Sequence, residues 1–317
     1  MMNDLNYSTI VRAHERIQDK ILRTPLDPSF CLPCEGNRHY FYKLECYQTA
    51  RSFKIRGALN KMMQLSEEER VRGVATVSSG NHGASVSYAA HLLGISPAFI
   101  IVPQTTPESK IQKIEFFGAT VLKIGQNYDE AHALGMHYIE ENQLTYIDPY
   151  YDDVAIYAGQ GTVGLEILQQ NPSIDTILVP IGGGGLITGI ATAAKAMRPD
   201  IRMIGVQTQA CPAMARALED HTFYPDFLSD ESLCDALIGG IGKRAYEMAS
   251  QCIDDVIVVS EKSIRHATTF LLQKEKIIAE PSSATTVAAV LNDPERVGGK
   301  AIALVISGGN IAESFLG

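Results

Sequence analysis

A chain of 317 residues with 45% hydrophobic composition can bury a sizeable core, and its length suits one large domain or two smaller ones. The formal charge of −9 comes from scattered carboxylates, and without a Lys/Arg-rich run to neutralise a phosphate backbone nucleic acid is not expected as a partner. No apolar stretch reaches the roughly eighteen residues needed to cross a bilayer, and the polar start Met1-Met2-Asn3-Asp4 has no signal-peptide regions, so the chain reads as cytoplasmic with no membrane partner.

In chain order, Cys31 and Cys34 come first as a C-x-x-C in a Pro-containing loop. No second such pair and no paired histidines complete a zinc site, so an ordinary loop is expected. Cys46, Cys211, Cys234 and Cys252 stand apart from one another and read as reduced thiols. The segment from Gln48 to Ala58 contains Ser52-Phe53-Lys54, with Ser52 a fair N-cap for a helix running through Leu59 to Gln64. Lys54 would then lie in the first helical turn, where the positive dipole end disfavours an ammonium and favours a nucleophilic amine. Taken alone, an exposed lysine is the ordinary reading of that position.

A β-branched run from Gly73 to Val77 predicts a strand, followed by Ser78-Ser79-Gly80-Asn81-His82-Gly83 and a helix over Ala84 to Leu93. Hydroxyls, an amide and backbone N–H groups converge in that loop, which suits a carboxylate or phenolate oxygen. His82 fits either a general base or a histidine that holds the loop by hydrogen bonds. Further strands are predicted at Ala98 to Val102 and Ala119 to Ile124, before the turn-rich stretch Asp148 to Asp153. Residues 73–148 therefore read as an inserted smaller domain, with 1–72 and 149–317 forming the larger one.

The strand Asp175 to Ile181 runs into Gly182-Gly183-Gly184-Gly185-Leu186 and a helix over Ile187 to Ala196. Four glycines at a strand-to-helix junction let the backbone approach an anion, and the helix start adds unpaired N–H groups. A dinucleotide does not fit. The third glycine of G-x-G-x-x-G falls on Ile187 or Thr188, and the next strand, Ile201 to Val206, ends at Gln207 where an acid is wanted for the ribose. No Gly-Lys-Ser/Thr ending marks a nucleoside triphosphate loop either, which leaves a monophosphate on a cofactor. Strands at Val256 to Val259 and Ala301 to Ile306 complete the series, the last capped by Ser307-Gly308-Gly309-Asn310. Strands alternating with Ala-rich helical segments predict an α/β fold with a parallel sheet covered on both faces. The amine, the cradle and the two hydroxyl-bearing loops at strand ends are what a pyridoxal phosphate site needs.

These segments, in this order and over nearly the whole chain, resemble the fold-type II pyridoxal phosphate enzymes (tryptophan synthase β-subunit-like, two α/β lobes with mainly parallel sheets), particularly threonine/serine dehydratases and serine racemase. The resemblance implies that Lys54 forms the Schiff base and removes the α-proton, that Phe53 packs beside the cofactor ring, and that Asn81 bonds its phenolic oxygen. It also implies that Gly182, Gly183, Gly184, Gly185 and Leu186 hold the phosphate and that Ser307 faces the pyridine nitrogen. Ser78, Ser79, Asn81 and His82 would bind the substrate. The implied reaction eliminates the β-hydroxyl of a small hydroxy amino acid such as L-threonine or L-serine, giving a 2-oxo acid and ammonia. Ser79 also matches the second acid/base of serine racemase, so racemisation of serine or aspartate is the alternative, and β-replacement is a third. A homodimer is usual among such enzymes.

Two departures stand out. Arg51 occupies a place where many relatives have glycine, and it could bind a substrate carboxylate or face solvent. Gln207, Cys211 and Ala213 stand where cation-binding relatives use acids, and hard cations want carboxylate oxygens, so no metal site is expected. Glu280, before Pro281, matches an acid near the cofactor in relatives and also reads as an ordinary helix start.

Overall fold

The computed structural model describes residues 4–33, 35–149, 151–312 and 315. Among them, ten strands form two sheets: β1 (Leu26–Pro28), β2 (His39–Leu44), β3 (Val74–Val77), β4 (Ala98–Val102), β5 (Thr120–Lys123), β6 (Thr145–Tyr146), β7 (Thr176–Pro180), β8 (Arg202–Thr208), β9 (Asp255–Val259) and β10 (Ala301–Ile306). The six-stranded sheet has the order β1-β2-β10-β7-β8-β9, and the four-stranded sheet has the order β5-β4-β3-β6. Only β1 runs antiparallel to its neighbour; every other pairing is parallel. β7 is buried throughout, as its unbroken apolar run requires of a strand covered on both faces.

Each predicted strand is present, with shifts of one or two residues at its ends. β8 continues to Thr208, so Gln207 is not the strand's end but lies buried inside it. Three strands carry little sequence signal. β1 has three residues and a proline on a sheet edge, and β6 has two residues. In β2 the apolar pattern is broken by Lys43, which is nevertheless fully buried. Cys34 lies outside the described residues, so the C-x-x-C is described only at exposed Cys31.

Lys43 tolerates burial because it is paired. Its ammonium donates to Glu166 at 2.6 Å, to the Thr24 carbonyl at 2.8 Å and to Gln170 at 2.9 Å. Arg56, fully buried on the helix Lys54–Met62, forks onto Glu45 (2.7 and 2.8 Å) and onto Glu166 (2.7 and 2.9 Å), with a fifth bond to Thr162 at 3.0 Å. All five guanidinium N–H groups are thereby used, and two cations balance two carboxylates out of water. This cluster ties the helix that begins at Lys54 to the segment after β2 and to the helix Val154–Gln170.

Strand order decides where the loops meet. β10 lies between β2 and β7 and runs parallel to both, with Ile306 level with Leu44 and Leu304 level with Leu178. The segments that leave β2, β10 and β7 toward Lys54, Ser307 and Gly182 therefore emerge side by side on one edge. No helix among the described residues is long and apolar enough to cross a membrane.

Candidate active site

Backbone hydrogen bonds join the Lys54 segment to the Ser307 segment, some 250 residues apart in sequence. Ser52 and Gly308 form an antiparallel bridge, Phe53 N–H donates to the Ser307 carbonyl at 3.0 Å, and Gly309 N–H donates to the Arg51 carbonyl at 2.9 Å. Gly308 is required by close approach: a Cβ there would lie 2.5 Å from a Glu280 carboxylate oxygen and 3.2 Å from the Asn81 amide nitrogen.

Lys54 opens its helix, as expected, but Ser52 is not the N-cap. Phe53 holds that place, and the buried Ser52 hydroxyl instead accepts the Lys54 N–H at 3.2 Å. The Lys54 ammonium donates to the Pro149 carbonyl at 3.1 Å and lies 5.5 Å from the centroid of the Phe53 ring. Burial lowers its pKa from the ordinary lysine value to about 8, with Asp148 pulling the other way. Removal from water is thus the leading cause of the lowered Lys54 pKa.

The tetraglycine turn opens the helix Gly185–Met197 with no side-chain cap, which leaves the first-turn N–H groups to other acceptors. Gly184 has φ +87°, a conformation only glycine adopts freely, and a Cβ on it would lie 2.6 Å from that of Ala245. A Cβ on Gly182 would approach the Ala236 carbonyl to 2.9 Å. Gly242 N–H donates to the Gly183 carbonyl at 2.8 Å, fixing the turn from outside. Gln207, in place of an acid, spans Ile181 and the Ala215 N–H at 3.0 Å and so supports the strand end that carries the turn.

From the other sheet, β3 delivers the half-buried Ser78 and Ser79, and Asn81 starts the helix Asn81–Leu93. His82 is buried, its Nε2 lies 2.9 Å from the Ile147 carbonyl, and its Nδ1 has no partner among the described residues. A carbonyl can only accept, so Nε2 carries the proton and holds the loop. Burial, with Lys54 adding to it, pushes the imidazole down to about 3, which leaves it neutral.

Asn81 joins the two sheets. It donates to Glu280 at 2.8 Å and accepts from the Asn310 amide, while Lys113 donates to the Asn310 side-chain oxygen. One Asn81 N–H remains for a further acceptor. Glu280 caps the helix Pro281–Asn292 by position only; its carboxylate receives Asn81 and the Asn310 N–H, and burial raises it to about 7. Lys113 carried no sequence signal, because only folding brings it near Asn310. Arg51 is exposed, with φ +58°, which accounts physically for glycine at such a place. Ser307 is buried at the end of β10, its hydroxyl 3.0 Å from that of Ser283.

An uncapped glycine cradle that side chains would fill, a half-buried low-pKa amine beside an aromatic ring and a buried hydroxyl on the adjoining loop fit pyridoxal phosphate. Among the described residues no group of three or more His, Cys, Asp or Glu side chains is placed to hold a metal ion.

Fold and site together define an α/β protein suited to a phosphorylated cofactor. Residues 17–308 match the family described as pyridoxal-phosphate dependent enzyme, and the chain belongs to that family. It is 40% identical over 303 residues to an L-threonine ammonia-lyase of Thermotoga maritima, a match covering 95% of this chain and 75% of that protein. Among solved structures, maize serine racemase superposes with a TM-score of 0.91 at 34% identity, covering 98% of this chain and 95% of that one. Isoform 2 of threonine deaminase from Solanum lycopersicum superposes with a TM-score of 0.92 at 30% identity, covering 98% and 91%. The cofactor and the fold type expected from the motifs are those of this family.

Proposed function

We propose that the protein is a pyridoxal phosphate-dependent ammonia-lyase that converts L-threonine or L-serine to the 2-oxo acid and ammonia. The observation that carries this reading is the backbone ladder that joins Arg51, Ser52 and Phe53, just before Lys54, to Ser307, Gly308 and Gly309, and the relatives named for threonine deamination support it. When bound through Lys54, the cofactor supplies the electron sink that makes an amino acid's α-proton removable. The backbone N–H groups of Gly182, Gly183, Gly184, Gly185 and Leu186 would hold its phosphate, Phe53 would pack beside its ring, Asn81 would offer its remaining N–H to the phenolic oxygen, and Ser307 would face the ring nitrogen. Ser78, Ser79, Asn81 and His82, around the start of the helix Asn81–Leu93, would receive the substrate carboxylate. The Lys54 amine would take the proton from Cα, and a pKa of about 8 keeps part of it unprotonated at neutral pH. The β-hydroxyl leaves as water, and water returns in the hydrolysis that frees ammonia.

In this reading residues 1–72 and 149–317 form the cofactor-binding domain and residues 73–148 a small mobile domain; all four strands of the second sheet fall within the latter. The setting is a cytoplasmic homodimer. Racemisation is the second reading, favoured by Ser79 at the end of β3 and by the superposition on serine racemase. Incubating the purified protein with each enantiomer of serine, threonine and 3-hydroxyaspartate, and measuring oxo acid and the opposite enantiomer together, separates the two. Neither product from a protein that carries the cofactor on Lys54 would sink both.

A further inference from the structure

Ser283 belongs to none of the motifs above, yet it is fully buried and its hydroxyl has three partners. It stands 3.0 Å from the Ser307 hydroxyl, 2.7 Å from the Gly308 carbonyl and 2.7 Å from the Gly308 N–H, which it accepts. A hydroxyl has one proton to give. If Ser283 gives it to the Gly308 carbonyl, Ser307 can bond Ser283 only by donating, and Ser307 is left as an acceptor toward the site. If Ser283 gives it to Ser307, the Ser307 proton is free to point into the site. The Gly308 carbonyl tolerates that second state because it still accepts the Glu280 N–H at 3.1 Å. In the second state the Ser307 proton finds an acceptor only in a group bound at the site, so the occupant of the site selects between the two states.

We propose that Ser283 is a positioning residue that sets the direction of the Ser307 proton, so that Ser307 can either donate to an aromatic ring nitrogen or accept from a protonated one. The inference rests on the cofactor reading above, in which Ser307 faces that nitrogen. Ser283 touches neither substrate nor cofactor; it acts through Ser307. Without it, Ser307 accepting from a protonated ring would have no partner for its own proton, and Ser307 donating to a neutral ring would lose the bond that polarises it.

The test loads the full chain with pyridoxal phosphate labelled with ¹⁵N at the ring nitrogen. The ring ¹⁵N shift is followed against pH and the cofactor dissociation constant is measured by equilibrium dialysis for wild type, S283A, S283T, S307A and the double variant S283A/S307A. We expect S283A to move the ring ¹⁵N shift toward that of S307A and to weaken cofactor binding about tenfold, the size of one lost hydrogen bond. S283T, which keeps the hydroxyl, should restore both. In the S307A background, S283A should leave the ¹⁵N shift unchanged, because its only route to the ring is gone. A merely structural hold on the Gly308 loop would make the two effects add, and that outcome overturns the proposal, as does an unchanged shift in S283A. Wild-type protein that binds the cofactor at Lys54 but makes no oxo acid would sink the lyase reading alone; wild-type protein that does not bind it overturns both.

Discussion

Replacing Arg56 by methionine removes the central cation of a cluster in which every polar group is paired. Methionine fills much of the same volume, but Glu45 and Glu166 would then share only Lys43 as a cation, leaving one uncompensated negative charge among nearly fully buried groups. Breaking a buried pair in this way costs about 3–5 kcal/mol, a large part of the roughly 5–15 kcal/mol that holds a typical protein folded. Arg56→Lys keeps the charge and loses two of five donors, so its cost should be smaller, about 2–3 kcal/mol. Urea unfolding at pH 7 measures both. The pH dependence then separates charge from cavity. Burial pushes Glu166 up, but Arg56 and Lys43 outweigh it and hold the carboxyl below its ordinary value of 4.5. Its contribution in the wild type is present above the unfolded value and is lost as pH falls through the folded one. In Arg56→Met the stranded carboxyl takes up a proton at higher pH, so the stability gap should narrow on acidification. A gap under about 1 kcal/mol at pH 7, or one that stays constant down to pH 4.5, would refute this account of the cluster.

Two other perturbations follow from the site. Gly184→Ala should weaken cofactor binding at least tenfold in dialysed protein, since a left-handed alanine costs about 1–2 kcal/mol and its Cβ would meet Ala245 at 2.6 Å; unchanged affinity would mean the turn is not the cradle. For His82, a folded pKa near 3 against 6.5 in the unfolded chain means that the unfolded state takes up the proton first. Stability should therefore fall as pH drops from 6.5 toward 3, by roughly 1 kcal/mol per unit from this residue. His82→Gln should flatten that limb relative to wild type in unfolding midpoints taken at several pH values, and parallel curves would count against a buried neutral imidazole.

Short apolar runs punctuated by glycine determined most of the fold in advance, because a strand buried on both faces must be apolar over its length and a cradle must lack Cβ atoms. That is why β3, β4, β7, β8 and β10 and the turn at Gly182 were legible, whereas the partly exposed edge strands β5 and β9 showed through their β-branched residues. Lys54 was not distinguished by its own neighbours, since an exposed lysine has the same local sequence; only the order of the four segments, through the resemblance it carries, pointed to it. Tertiary structure decided the rest. Burial, which no local pattern encodes, lowers Lys54 toward 8 and keeps His82 neutral, and the insertion of β10 between β2 and β7 sets Ser307 against Phe53. Lys43 inside β2, Glu280 turned toward Asn81 and Ser283 behind Ser307 are polar residues whose partners lie far away in the chain. A polar side chain is stable in the interior only beside those partners, and which partners it meets is settled by strand order rather than by sequence neighbourhood.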